Sequence, residues 1–140
     1  MMSMTVVLMS LTAMSATDLT AVEAAAPKSL SSAMKLMSGK LKDIAAQVTD
    51  PQLNAQSALM ADEFIAAVIA GKAFIPDSVA KMPSQEQAAA KAMYTKMMDQ
   101  TVVLGQQLAA SLRANDNTKA SLLLNDLVSH KKQGHTEFKN

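Results

Sequence analysis

From just after Pro27, Leu30, Met34, Met37, Leu41, Ile44 and Val48 recur in alternating steps of four and three. That is a heptad seam on one face of a helix. Lys35, Ser38, Lys40, Lys42 and Asp43 fall between the apolar positions and can face water. Ser29, Ser31 or Ser32 can cap the start. Asp50-Pro51 ends this helix and opens a second, with proline in a first-turn position. The second helix is predicted from about Pro51 to Ala70, with Leu53, Met60, Phe64, Ala67 and Val68 on one face. Asp62 and Glu63 lie opposite, and Gly71 is the expected C-cap.

Residues 72–83 carry two prolines and predict a connecting loop anchored by Phe74, Ile75 and Val79. Ser84-Gln85-Glu86-Gln87 has the form of a capping box. It opens the longest helix, reaching roughly Arg113, with Ala90, Tyr94, Met97, Leu104, Leu108 and Leu112 as its buried face. Asn115-Asp116-Asn117 predicts a turn and a cap. The last helix is expected from about Thr118 to the C-terminus, with Ala120, Leu124, Leu127, Lys131 and Phe138 in one line and Gly134 weakening its final turns. Four amphipathic helices, two tight turns and one longer middle loop predict an all-α fold. The expected architecture is one antiparallel up-down-up-down four-helix-bundle domain over residues 28–140.

Composition sharpens this. Hydrophobic residues make up 49% of the 140, enough for one core, but aromatic residues only 3%. Ala, Leu and Met dominate, which favours helix and leaves a sheet without β-branched and aromatic material. There is no cysteine, so disulfides, thiolate metal sites and covalent haem attachment are excluded. The formal charge is +1, and Lys131-Lys132 is the densest basic spot, which argues against a nucleic-acid surface.

Residues 1–24 read as a signal peptide. The run from Val6 to Met14 has h-region character, and small residues allow cleavage after Ala24 or Ala26. Removing Asp18 and Glu23 with this leader raises the formal charge from +1 to +3. The apolar run is shorter than the ~20 residues a membrane span needs, so no membrane span is expected in the mature chain. The expected location is the periplasm.

In an up-down-up-down bundle the start of the first helix and the end of the fourth share one end. Met34 and His135 each lie about five residues from that rim, roughly 7 Å deep. A thioether and an imidazole across one bundle end form an axial pair that six-coordinate haem iron accepts. Spacing alone does not single them out, because a methionine on a helical seam is usually a core filler. His130 and His135 are five apart and point in different directions on one helix, so they make a poor chelate. No nucleotide-binding glycine loop, His-Glu-x-x-His or Ser/His/Asp order is present, and the chain is not expected to be an enzyme.

Leu30 to Ile44, Val102 to Leu108 running on to Asn115, and His135-Thr136-Glu137-Phe138-Lys139 resemble the first helix, the third helix with its turn, and the tail of the cytochrome b562 family. The resemblance covers essentially residues 28–140. It implies a periplasmic electron carrier, expected as a monomer, with one non-covalent haem b and a redox partner protein of unknown identity. Met34 and His135 match the axial ligands. Lys131 stands where the family commonly has an arginine beside the haem. Lys96 and Gln100 fall where family members often place aromatic residues against the haem, leaving Met60, Met97 and Leu104 as substitutes. The cofactor-binding set so implied is Met34, Met37, Met60, Leu104, Lys131 and His135. The alternative is a haem-free periplasmic bundle acting in binding or stress. There Met34/Met37 and Met93/Met97, each pair one turn apart, can present thioethers to Cu(I).

Overall fold

The computed structural model describes residues 27–138; the expected leader lies outside the described residues. Helix α1 spans Leu30–Gln47, and a 3₁₀ turn at Pro51–Leu53 leads into α2, Asn54–Lys72. A single-turn helix α3, Asp77–Ala80, interrupts the long connection; α4 spans Ser84–Arg113 and α5 Asn117–Glu137. No strand occurs among the described residues. The fold is an all-α bundle of four long helices, as the hydrophobic periodicity predicts.

Contacts between helices show that neighbours run antiparallel. From α1 to α2, Lys40 Nζ lies 2.6 Å from Glu63, and further along α1 Gln47 Nε2 donates to Met60 Sδ, earlier in α2. From α2 to α4, Arg113 meets Asp62 at 2.5 Å, while Lys72, ten residues on, meets Asp99 at 2.6 Å. Helix α5 returns along α4 and reaches α1 only sparsely. The four helices therefore form a closed ring of neighbours with one thin seam, between α1 and α5.

The local chemistry of the helix starts differs from the prediction in one place. Ser29 caps α1 by accepting from the Ser32 N–H, and Ser32 Oγ accepts from the Ser29 N–H, a reciprocal capping box made of two serines. The box predicted at Ser84–Gln87 does not form. Pro83 occupies the cap position, so Ser84 already sits inside the helix. Gln87 instead turns back, its Nε2 donating to the carbonyls of Met82 (2.9 Å) and Ala80 (3.3 Å) and pinning the connection to α4. Gly71 is not a cap but a buried residue within α2. A Cβ there would stand 3.1 Å from Met98 Cε and 3.4 Å from Ala33 Cβ, so glycine lets three helices meet. Gly105 does the same between α4 and α2, where a Cβ would lie 2.8 Å from Ile65 Cγ1.

The core is mostly aliphatic, with Phe64, Ile44, Leu108, Leu112, Leu127 and Val68 its largest fully buried side chains. At the end where α1 meets α2 and α4 meets α5, a polar clasp closes the bundle. Buried Asn54 donates from Nδ2 to the side-chain oxygens of Asn115 (3.0 Å) and Asn117 (2.9 Å). Asn117 Nδ2 lies within bonding distance of the Val48 carbonyl (2.7 Å) and Asn54 Oδ1 (2.9 Å). Asn115 adopts φ 58°, the left-handed conformation that asparagine tolerates better than most residues. No described helix is long and apolar enough to cross a membrane.

Candidate functional site

The opposite end carries an apolar cleft. Its free volume is about 30 Å³, room for one or two water molecules. Met34, Met37 and Leu41 reach it from α1, Phe64 from α2, and Tyr94, Met97, Met98 and Thr101 from α4; Leu127, His130, Lys131, Gly134 and Phe138 complete it from the α5 side. Three of the four aromatic residues in the chain, Phe64, Tyr94 and Phe138, share it; Phe74 lies elsewhere. Tyr94 and Phe138 pack edge to face with ring centroids 5.5 Å apart, a favoured aromatic geometry.

Tyr94 is the fixed point of the floor. Its hydroxyl donates to the Gly71 carbonyl at 2.6 Å, and burial pushes its pKa up to about 12. His130 is held to α4, with Nε2 at 3.1 Å from the Met97 carbonyl. A carbonyl can only accept, so a neutral ring carries its proton on Nε2 and its lone pair on Nδ1. Met97 Sδ lies against α5, where a Cβ on Gly134 would approach it to 3.0 Å. Gly134 thus makes room for the thioether, beyond its predicted effect of weakening the last turns.

The six residues expected to bind a cofactor separate into two groups. Met34, Met37 and Lys131 line the cleft; Met34 and Lys131 are half-buried and Met37 is buried. Met60 lies outside it, half-buried, with its sulfur accepting from Gln47. Leu104 faces a broad surface groove along α4, together with Lys91, Lys96, Asp99, Gln100 and Val103. His135 is exposed and is not part of the lining.

The reason is angular. At ~100° per residue, Gly134 falls within roughly 20° of the inward direction of Leu127, His130 about 60° to one side and His135 about 80° to the other. The two histidines do point different ways, as their spacing requires. His130, bonded to the Met97 carbonyl, borders both the cleft and the groove.

Lys96 and Gln100 also prove to be groove residues, so they do not displace aromatic side chains from the cleft. On α4 the inward positions are Tyr94, Met98 and Thr101, with Met97 at the edge. Helical steps of three and four from Tyr94, rather than from Met97, reach Met98, Thr101, Gly105 and Leu108, all buried.

Among the described residues, no group of three or more His, Cys, Asp or Glu side chains is placed to hold a metal ion. The lining's donor atoms are the thioethers, the His130 imidazole, the Lys131 ammonium, and the Tyr94 and Thr101 hydroxyls, which both already bond to carbonyls; His135 is exposed and outside the lining. The thioethers and the imidazole are soft to borderline donors set in apolar walls. Comparison with models of known families, with curated proteins and with solved structures finds no match.

Proposed function

We propose that the chain is an electron-transfer protein of the cytochrome b562 type, holding one non-covalent haem b in the cleft between α1 and α5. The observation that carries this reading is an aromatic-lined apolar cleft, with Met34 on one wall, at the thinnest seam of the bundle. Met34 would supply the axial thioether. His135 would supply the imidazole by turning inward past Gly134, which has no side chain to obstruct it. Lys131, half-buried at the same wall, would neutralise a propionate. Met37, Leu41, Phe64 and Leu127 exclude water from the interior. With both axial positions filled by side chains, such a haem supplies a one-electron couple and no open coordination site. A redox partner protein and a periplasmic location follow from the same reading.

A haem titration of the purified chain, followed by absorbance in both oxidation states, tests it. The expected result is a low-spin spectrum at one haem per chain, lost in Met34→Ala and in His135→Ala and retained in His130→Ala. Binding that ignores both axial substitutions would overturn the proposal.

A further inference from the structure

The cleft gathers methionines that lie far apart in sequence. Met34 and Met37 come from α1 and Met97 and Met98 from α4, with His130 facing them from α5. Met93, which pairs with Met97 at one-turn spacing in the sequence, is instead 58% exposed and takes no part. The structure therefore replaces a pairing along one helix with a convergence of three helices.

Two details point to ligation rather than filling alone. Met97 Sδ is held at the α5 wall in the space that Gly134 leaves open, one turn from His130. The His130 ring is itself oriented by the Met97 carbonyl, so its neutral form has the lone pair on Nδ1. A hydrogen bond on one ring nitrogen fixing the other for a metal is the usual way an imidazole ligand is oriented.

Neutral thioethers and a neutral imidazole in an apolar cleft do not compensate a hard divalent ion for its lost hydration. They do suit a soft monovalent one, which binds sulfur covalently and carries less charge. Lys131 at the same wall is half-exposed and can carry its ammonium to water along its aliphatic stem.

We propose that, when haem is absent, the cleft binds one Cu(I) ion through the thioether sulfurs of Met34 and Met97 and Nδ1 of His130. Binding to the neutral ring is a simple association: Nδ1 donates its lone pair, no proton is released and no electron moves. The site shares Met34 with the haem reading but not His135, so the two stand or fall separately.

The test is competition for Cu(I) between the full haem-free chain and a chromogenic copper(I) chelator, under anaerobic reducing conditions. One copper per chain should be withdrawn from the chelator. Affinity should fall at least ~10-fold in Met34→Leu, Met97→Leu and His130→Gln, and stay unchanged in His135→Ala. Leucine keeps the volume of methionine, and glutamine keeps a donor for the Met97 carbonyl, so the fold should survive. Silver(I) titration of the wild-type chain, with its methionine methyls labelled for NMR, gives a reading that needs no variant. The methyls of Met34 and Met97 should shift, and those of Met82 and Met93 should not. Failure to withdraw copper, affinity indifferent to all three substitutions, or shifts confined to Met82 and Met93 would each overturn the proposal. Haem titration of the same samples reports on the other reading independently.

Discussion

At the scale of single residues, Tyr94 combines burial, a short hydrogen bond and an aromatic contact in one side chain. Its hydroxyl pKa is raised to about 12 because the phenolate would be desolvated, against about 10 for tyrosine in an unfolded chain. Below pH ~10 both states keep the proton and the group's contribution to stability is intact. Between pH ~10 and ~12 the unfolded chain gives up a proton that the folded chain retains, so stability declines as pH rises. Denaturation midpoints across this range should show the decline in the wild type, and a shallower one in Tyr94→Phe. Because the chain has a single tyrosine, its tyrosinate absorbance titrates this group alone. Arg113 shows the opposite case. Its bond to Asp62 raises its pKa further, but both partners are about half exposed, and a pair in that setting is screened by water.

At the scale of helices, the asparagine clasp joins the α1–α2 turn to the α4–α5 turn. Replacing Asn54 with Ala removes three hydrogen bonds and leaves polar atoms of Asn115 and Asn117 without their partner, at a cost of about 2 kcal/mol. Ser57, one turn further along α2, is the control: its hydroxyl is buried without a partner, and Ser57→Ala should change stability by less than ~0.5 kcal/mol. Urea denaturation of both variants measures the contrast. The four long helices were legible from periodicity because α1, α4 and α5 keep a clear apolar stripe. Their ends were less so. Gly71 looked like a terminus because nothing in the sequence reveals that Met98 and Ala33 press against it. The serine–glutamine box at Ser84 failed because Pro83 moved the cap by one position. The clasp itself was read only as a turn and a cap, since its partner Asn54 is about sixty residues away in sequence.

For the whole molecule, the two ends of the bundle are built differently: one is clasped by three asparagines, the other has the cleft and the sparse α1–α5 seam. Local opening follows contact density. Amide hydrogen exchange should therefore be faster in the first turn of α1 and the last turns of α5 than around Val48, Asn54 and Asn117, and ligand binding should slow it at the cleft end. Uniform protection along α1 would contradict this. The sequence grouped Met34, Met37 and Lys131, which do line one cleft. It did not show that Met60 and Leu104 face elsewhere, because a single apolar stripe does not specify which neighbour it meets at each level.

A rod clasped at one tip and thinly backed on one side has room to swing toward that side. Helix α1 has 18 residues and so measures about 27 Å. Turned by only about 10° about the asparagines, its far tip travels roughly 5 Å over that length. A rotation small enough to leave the pivot's bonds unbroken thus becomes a gap wide enough to admit a flat molecule edge-on.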